Sequence, residues 1–122
     1  MEILGLDHFQ IAAPPGCEPE ARRFYGGLLG LRELPKPEGV RASGGVWFEC
    51  GRQELHVGID EDFSPARKAH PGLLVEAEAL EPLAQRLREA GYEVSWDERI
   101  AGVRRFFALD PWGNRLELRA QE

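Results

Sequence analysis

Cysteine is scarce in this chain of 122 residues. Cys17 and Cys50 stand alone, too few for a disulfide framework and without the CxxC spacing of a structural zinc or redox site. Both are expected as free thiols, Cys17 in a loop and Cys50 at the end of an apolar strand. Long hydrophobic runs are missing too: nothing approaches the roughly 20 apolar residues needed to span a bilayer. Met1-Glu2 opens without the basic residues and apolar core of a secretory signal, so the expected location is cytoplasmic, with no membrane partner. There is no basic cluster. The 15 Lys and Arg are interleaved among 21 Asp and Glu for a net charge of −6, which argues against a nucleic-acid partner. What is present, 43% apolar and 30% charged residues, is the balance of one globular domain covering 1–122.

The chain reads as two copies of one arrangement. In the first, a strand over Leu6–Ala12 leads through Pro14-Pro15-Gly16 to a helix starting near Pro19, where the missing N–H of proline costs nothing. Ala21, Phe24, Leu28 and Leu29 recur at helical spacing, and Gly30 is a plausible stop. Gly26 and Gly27 lie inside that helix and each cost up to about 1 kcal/mol relative to alanine, so it should be short or held by packing. Leu31–Leu34, the turn-rich stretch Pro35–Gly39, Gly45–Cys50 and Gln53–Ile59 then give three strands. The second copy repeats the order: a strand over Gly72–Glu76, a helix over Leu80–Ala90 ending at Gly91, and strands over Tyr92–Trp96, Val103–Leu109 and Arg115–Arg119. Asp110-Pro111-Trp112-Gly113 has the residue order of a type I turn closing the last hairpin.

The two helix-ending glycines, Gly30 and Gly91, are 61 residues apart, as are His56 and Glu117 in the two final strands. His8 and His70 are 62 apart. Four residues able to bind a metal therefore fall at two pairs of duplicated positions. Alternation along a strand puts His56 on a face with Glu54, His8 with Gln10, and Glu117 with Arg115 and Arg119, opposite the apolar residues. Two imidazoles and a carboxylate could thus converge, a ligand set that leaves positions open for substrate and suits Fe, Mn, Ni, Co or Zn. Against this, a lone histidine is more often structural or surface-exposed, and Glu117 could simply pair with Arg115 or Arg119 at the surface. Packing within the sheet is the favoured reading for Trp47, Phe48, Phe106 and Phe107. Arg104 and Arg105 fit either an anionic substrate or an exposed edge strand.

At Leu6-Asp7-His8-Phe9, at Phe24-Tyr25 leading to Leu29-Gly30-Leu31, and at Asp110-Pro111-Trp112-Gly113-Asn114 running into Leu116-Glu117-Leu118, the sequence resembles the vicinal oxygen chelate superfamily. That superfamily includes glyoxalase I, fosfomycin-resistance thiol transferases, methylmalonyl-CoA epimerase, extradiol dioxygenases and bleomycin-binding proteins. The resemblance implies an α+β fold in which two βαβββ modules, about 1–62 and about 68–122, form a cupped mixed sheet. It also implies a homodimer whose sites take ligands from both chains. His8, His70 and Glu117 match the usual ligands of a divalent metal, and His56 matches the remaining position, as fourth ligand or proton shuttle. Glyoxalase I has a glutamate where His56 stands, serving as ligand and catalytic carboxylate. Extradiol dioxygenases have a histidine at a similar place but four modules and a nearby tyrosine, where this chain has Phe106 and Phe107. The potassium-binding loop and basic pocket of the thiol transferases are not evident.

The expectation is thus a metal-dependent enzyme, of glyoxalase-like lyase or isomerase type or of dioxygenase type, acting on a small molecule with adjacent oxygens. Glu117 and His56 would carry the catalysis. The alternative is a metal-free binding protein that sequesters a drug or metabolite, as the bleomycin-resistance members do.

Overall fold

A computed structural model describes all residues from Met1 to Glu122. The chain divides into two compact units, Met1–Ser64 and Pro65–Glu122, each built on one four-stranded mixed sheet. No helix is long and apolar enough to cross a membrane.

In the first unit, β1 (His8–Ala13) is followed by α1 (Glu18–Ala21), β2 (Glu33–Leu34), α2 (Glu38–Arg41), β3 (Val46–Cys50) and β4 (Gln53–Ile59). The sheet order is β1-β4-β3-β2, with β1 parallel to β4 and the other pairs antiparallel. The expected first helix is short. After α1, with Pro19 in its first turn, the chain widens into a π-helical segment, Arg22–Leu28. The Leu29 N–H reaches back to the Phe24 carbonyl, and both Phe24 and Tyr25 are fully buried. A segment carrying Gly26 and Gly27 has little propensity to resist that widening, and burial of two adjacent aromatic rings outweighs it. At the end of the stretch expected as turn, and running past it, Glu38–Arg41 forms the single helical turn α2.

The second unit runs β5 (Gly72–Val75), a 3₁₀ turn over Ala77–Ala79, α3 (Leu80–Glu89), β6 (Val94–Asp97), β7 (Arg105–Leu109) and β8 (Arg115–Ala120). The order is β5-β8-β7-β6, with β5 parallel to β8. Helix α3 buries Leu80, Leu83, Ala84 and Leu87, the stripe that helical periodicity picks out. It packs by contacts to β6 and β8.

Each sheet has an apolar and a polar face. In the first unit Ile11, Val46, Phe48, Leu55 and Val57 are buried, and in the second Phe106, Ala108, Leu116 and Leu118. Residues alternating with these carry imidazole, carboxylate and guanidinium groups, so period-two patterning delivers the chemistry to the opposite face of each sheet.

Candidate metal centre

On the polar face of the first unit, His56 on β4 pairs in register with Gln10 on β1 and with Trp47 on β3. Its ring is buried and stacked: the Trp47 ring lies 3.8 Å away at 2° and the His8 ring 4.4 Å away at 19°. His56 Nε2 donates to Glu54 Oε1 at 2.8 Å, a carboxylate that stays 40% exposed. His8 is half-exposed, and its Nδ1 lies 3.0 Å from Asp7 Oδ2. A carboxylate only accepts, so Nδ1 donates.

The second unit brings together His70 and Glu117, which are 47 residues apart in sequence. The turn Asp110–Asn114 is what holds them. Asp110 Oδ1 accepts the N–H groups of Trp112 and Asn114 at 3.0 and 2.8 Å, and Oδ2 accepts Asn114 Nδ2 at 2.9 Å. Asn114 Oδ1 in turn accepts the Ala66 N–H at 2.9 Å. The Arg115 and Glu117 N–H groups donate to the carbonyls of Ala66 and Pro71. The segment carrying His70 is therefore laced to the start of β8 residue by residue. From sequence the motif reads as a turn and a family signature; that its buried Asp and Asn tie down the segment carrying His70 does not show there, and the one sign of it is the pair of polar residues, Asp110 and Asn114, flanking Pro111-Trp112-Gly113.

His70 Nδ1 lies 2.9 Å from the Lys68 carbonyl, so it must be the protonated nitrogen. Nε2 then faces Glu117 Oε1 at 3.1 Å. Nε2 and Glu117 Oε1 at this distance share a cation: a proton, in an ion pair with the charged imidazole, or a metal ion held by both atoms. Backbone anchoring of Nδ1 with Nε2 left for the metal is the usual arrangement of a ligating histidine. The donor set fits a divalent ion on this observation.

Glu117 is buried at its other oxygen too. Oε2 accepts Arg105 Nη1 at 3.1 Å, and Arg119 is more distant at 3.8 Å. Burial pushes the Glu117 carboxyl up, but the Arg105 and His70 hydrogen bonds outweigh it and hold it below its ordinary value. Arg105 is buried on central strand β7 and also grips Asp97 Oδ1 at 2.9 Å. It is neither on an exposed edge strand nor free for a substrate, and Arg104 pairs with Glu81. Of the aromatic residues expected as sheet packing, Phe48, Phe106 and Phe107 are buried and Trp47 stacks on His56 across β3 and β4; Phe107 also meets His70 edge-on at 5.6 Å.

The structure thus pairs His70 with Glu117, and His8 with His56 by ring stacking. No group of three or more His, Cys, Asp or Glu side chains is assembled for a metal within the chain.

The model of the Glyoxalase/Bleomycin resistance protein/Dioxygenase superfamily matches residues 5–118, and the chain belongs to that superfamily. It is 32% identical over 100 residues to glutathione transferase FosA of Serratia marcescens, covering 78% of this chain and 67% of that protein. Among solved structures it is similar to a glyoxalase family protein from Bacillus anthracis, with 46% identity, a TM-score of 0.91, and 98% and 97% of the two chains covered. The fosfomycin resistance protein FosX of Listeria monocytogenes shares the fold, with a TM-score of 0.79 at 16% identity over 98% and 95% of the chains.

Proposed function

We propose that this protein is a metal-dependent enzyme, glyoxalase-like or dioxygenase-like, acting on a small molecule with adjacent oxygens. His8, His70 and Glu117 are its ligands for a divalent metal ion. The observation that carries the reading is the His70–Glu117 pair, in which Nε2 and a carboxylate oxygen stand 3.1 Å apart with Nδ1 tied to a carbonyl. A divalent ion supplies Lewis-acid stabilisation of negative charge developing on substrate oxygens.

The chain's own groups divide the remaining work. Arg105 occupies Glu117 Oε2, so Glu117 offers Oε1 alone and keeps its charge. Asp7 orients His8 by its Nδ1, leaving Nε2 to ligate. His56 is better suited to moving a proton than to ligation. Its Nε2 already donates to Glu54, whose partial exposure gives the proton a route to water, and the rings of Trp47 and His8 fix its plane.

His8 belongs to one unit and the His70–Glu117 pair to the other. A homodimer in which each site combines groups from two protomers completes the set. Ile3, Leu4, Leu6 and Leu74 are apolar and strongly exposed in the single chain, which supports burial against a second copy.

The test is metal analysis of untagged protein. Wild type is expected to hold stoichiometric metal, and Glu117→Ala and His8→Ala to lose it. Co-expression of those two variants should restore metal to half the sites of the mixed dimer, because one of its two sites then has every ligand intact. Wild type that neither carries nor binds Fe, Mn, Ni, Co or Zn defeats the proposal and leaves sequestration of a small molecule. His56→Ala is expected to keep the metal and lose turnover.

A further inference from the structure

We infer that Arg105, braced by Asp97, is the positioning residue that sets how Glu117 meets the metal. It holds Oε2 away, limits the carboxylate to one-oxygen ligation through Oε1, and so keeps one more coordination position open. The inference rests on the reading of His70 and Glu117 as a metal pair and names what decides how many places that metal has to offer.

A carboxylate can give a metal one oxygen or both, and nothing in Glu117 itself chooses between them. The partner of Oε2 does. Arg105 Nη1 donates to it at 3.1 Å, while Nε and Nη2 of the same guanidinium donate to Asp97 Oδ1 at 3.3 and 2.9 Å. A planar guanidinium gripped along one edge cannot turn without breaking those bonds, so the N–H facing Glu117 is held in direction as well as in distance. Arg99 steadies Asp97 in turn, by its backbone N–H to Oδ1 and its Nε to Oδ2.

The sheet builds this row of alternating charge. Asp97 on edge strand β6 stands directly opposite Arg105 on β7, and Glu117 on β8 stands opposite Phe107, two residues further along β7. All four side chains therefore share the polar face, and the guanidinium bridges from β6 to β8. The Phe107 ring packs on it at 5.0 Å and on Arg115 at 3.9 Å. Arg105 and Glu117 are buried, which leaves little water to compete for Oε2. The next cation, Arg119, is half-exposed and stands off at 3.8 Å, beyond hydrogen-bond length.

The experiment is water-proton relaxation of the full chain, stripped of metal and loaded with Mn²⁺, normalised to bound Mn²⁺. With about six positions on the ion, and His8, His70 and Glu117 each filling one, wild type leaves about three for water. Arg105→Met frees Oε2 to join the ion, and relaxation per bound ion is expected to fall by about a third. Asp97→Ala loosens the guanidinium without removing it, and Arg105→Lys keeps a charge for Oε2 but not the fork; both should fall between Arg105→Met and wild type. Arg119→Gln should match wild type. Mn²⁺ affinity should stay within about 100-fold of wild type throughout. A residue that only stabilised the fold would shift the urea midpoint and leave relaxation per bound ion unchanged.

Because Arg119 could swing into the vacated place, Arg105→Met is also measured in an Arg119→Gln background. Wild-type relaxation in that double variant overturns the inference, as does loss of Mn²⁺ binding from both Arg105 variants while each still folds. Should Arg105→Met not fold, wild-type relaxation in both Asp97→Ala and Arg105→Lys overturns it instead. Failure of the underlying reading looks different: wild type that takes up no Mn²⁺, or Glu117→Ala that binds it as wild type does, defeats the ligand set itself.

Discussion

Replacing Asp110 by alanine tests whether the turn before β8 holds the candidate centre together. The carboxylate is 4% exposed and accepts three hydrogen bonds, from the N–H groups of Trp112 and Asn114 and from Asn114 Nδ2. At a net contribution of about 1 kcal/mol each, their loss costs about 3 kcal/mol, with more to come if the buried Asn114 amide is left unsatisfied. Stability of a domain this size is commonly about 5–15 kcal/mol, so the variant should fold but melt early. In urea the midpoint should fall by about 1–2 M. Asp110→Asn keeps an oxygen for the two backbone donors but turns an NH₂ toward Asn114 Nδ2, and should lose roughly half as much. The functional consequence follows from the lacing of Ala66 and Pro71 to Asn114, Arg115 and Glu117: metal affinity should fall in the same order, alanine below asparagine below wild type. An alanine variant within about 1 kcal/mol of wild type, or one as stable as the asparagine variant, would refute the reasoning.

Phe106 is fully buried, and Phe106→Ala should cost about 3–5 kcal/mol, read from urea unfolding; Phe107→Ala, on the other face, should cost less and should release Arg115. Gly45 has φ of +85°, and a Cβ there would stand 2.2 Å from the Val57 carbonyl oxygen, whereas Gly51, at φ +61°, has nothing within 4 Å. Gly45→Ala should therefore destabilise clearly more than Gly51→Ala, whose cost is conformational strain of about 1 kcal/mol, and equal thermal midpoints would count against the close approach. Glu18 accepts the Gly45 N–H at 2.8 Å, and this hydrogen bond holds its carboxyl below the ordinary 4.5. A folded-state value below the unfolded one gives stability that is present above about pH 4.5 and lost as pH falls through the folded value. Glu18→Gln should flatten that part of the acid-unfolding curve, and a curve identical to wild type refutes the role.

The order of elements was legible because it is written in two periods. The 3.6-residue recurrence of Leu80, Leu83, Ala84 and Leu87 places α3 at its observed start, and alternation in Gln53–Ile59 gives β4 with both ends correct. Local signals failed where they were weak or in conflict. In the first unit, Gly26 and Gly27 leave the chain without a preference strong enough to fix the helix type, and burial of Phe24 and Tyr25 decides it. Leu31–Leu34 shrinks to the two residues Glu33–Leu34 that pair with β3, since strand length depends on a partner that composition does not name.

The candidate site divides in the same way. Which residues face the polar side follows from strand parity, so His8, His56 and Glu117 could be placed on it from sequence, and duplication related them to His70. Parity gives the face of a side chain but not the direction of its nitrogen atoms or the group opposite. Hence Arg105 could pass for an edge-strand cation when it is the buried partner of Glu117, and the contacts of the buried Phe107 ring with His70 and Arg115 do not follow from its place in the sheet. The polarity of His70 is the sharpest case. It is set by a carbonyl two residues upstream, at Lys68, in a loop with no regular structure and no pattern. That carbonyl fixes Nδ1 as a donor and leaves Nε2 aimed at Glu117, so the pair is placed to share either a proton or a metal ion.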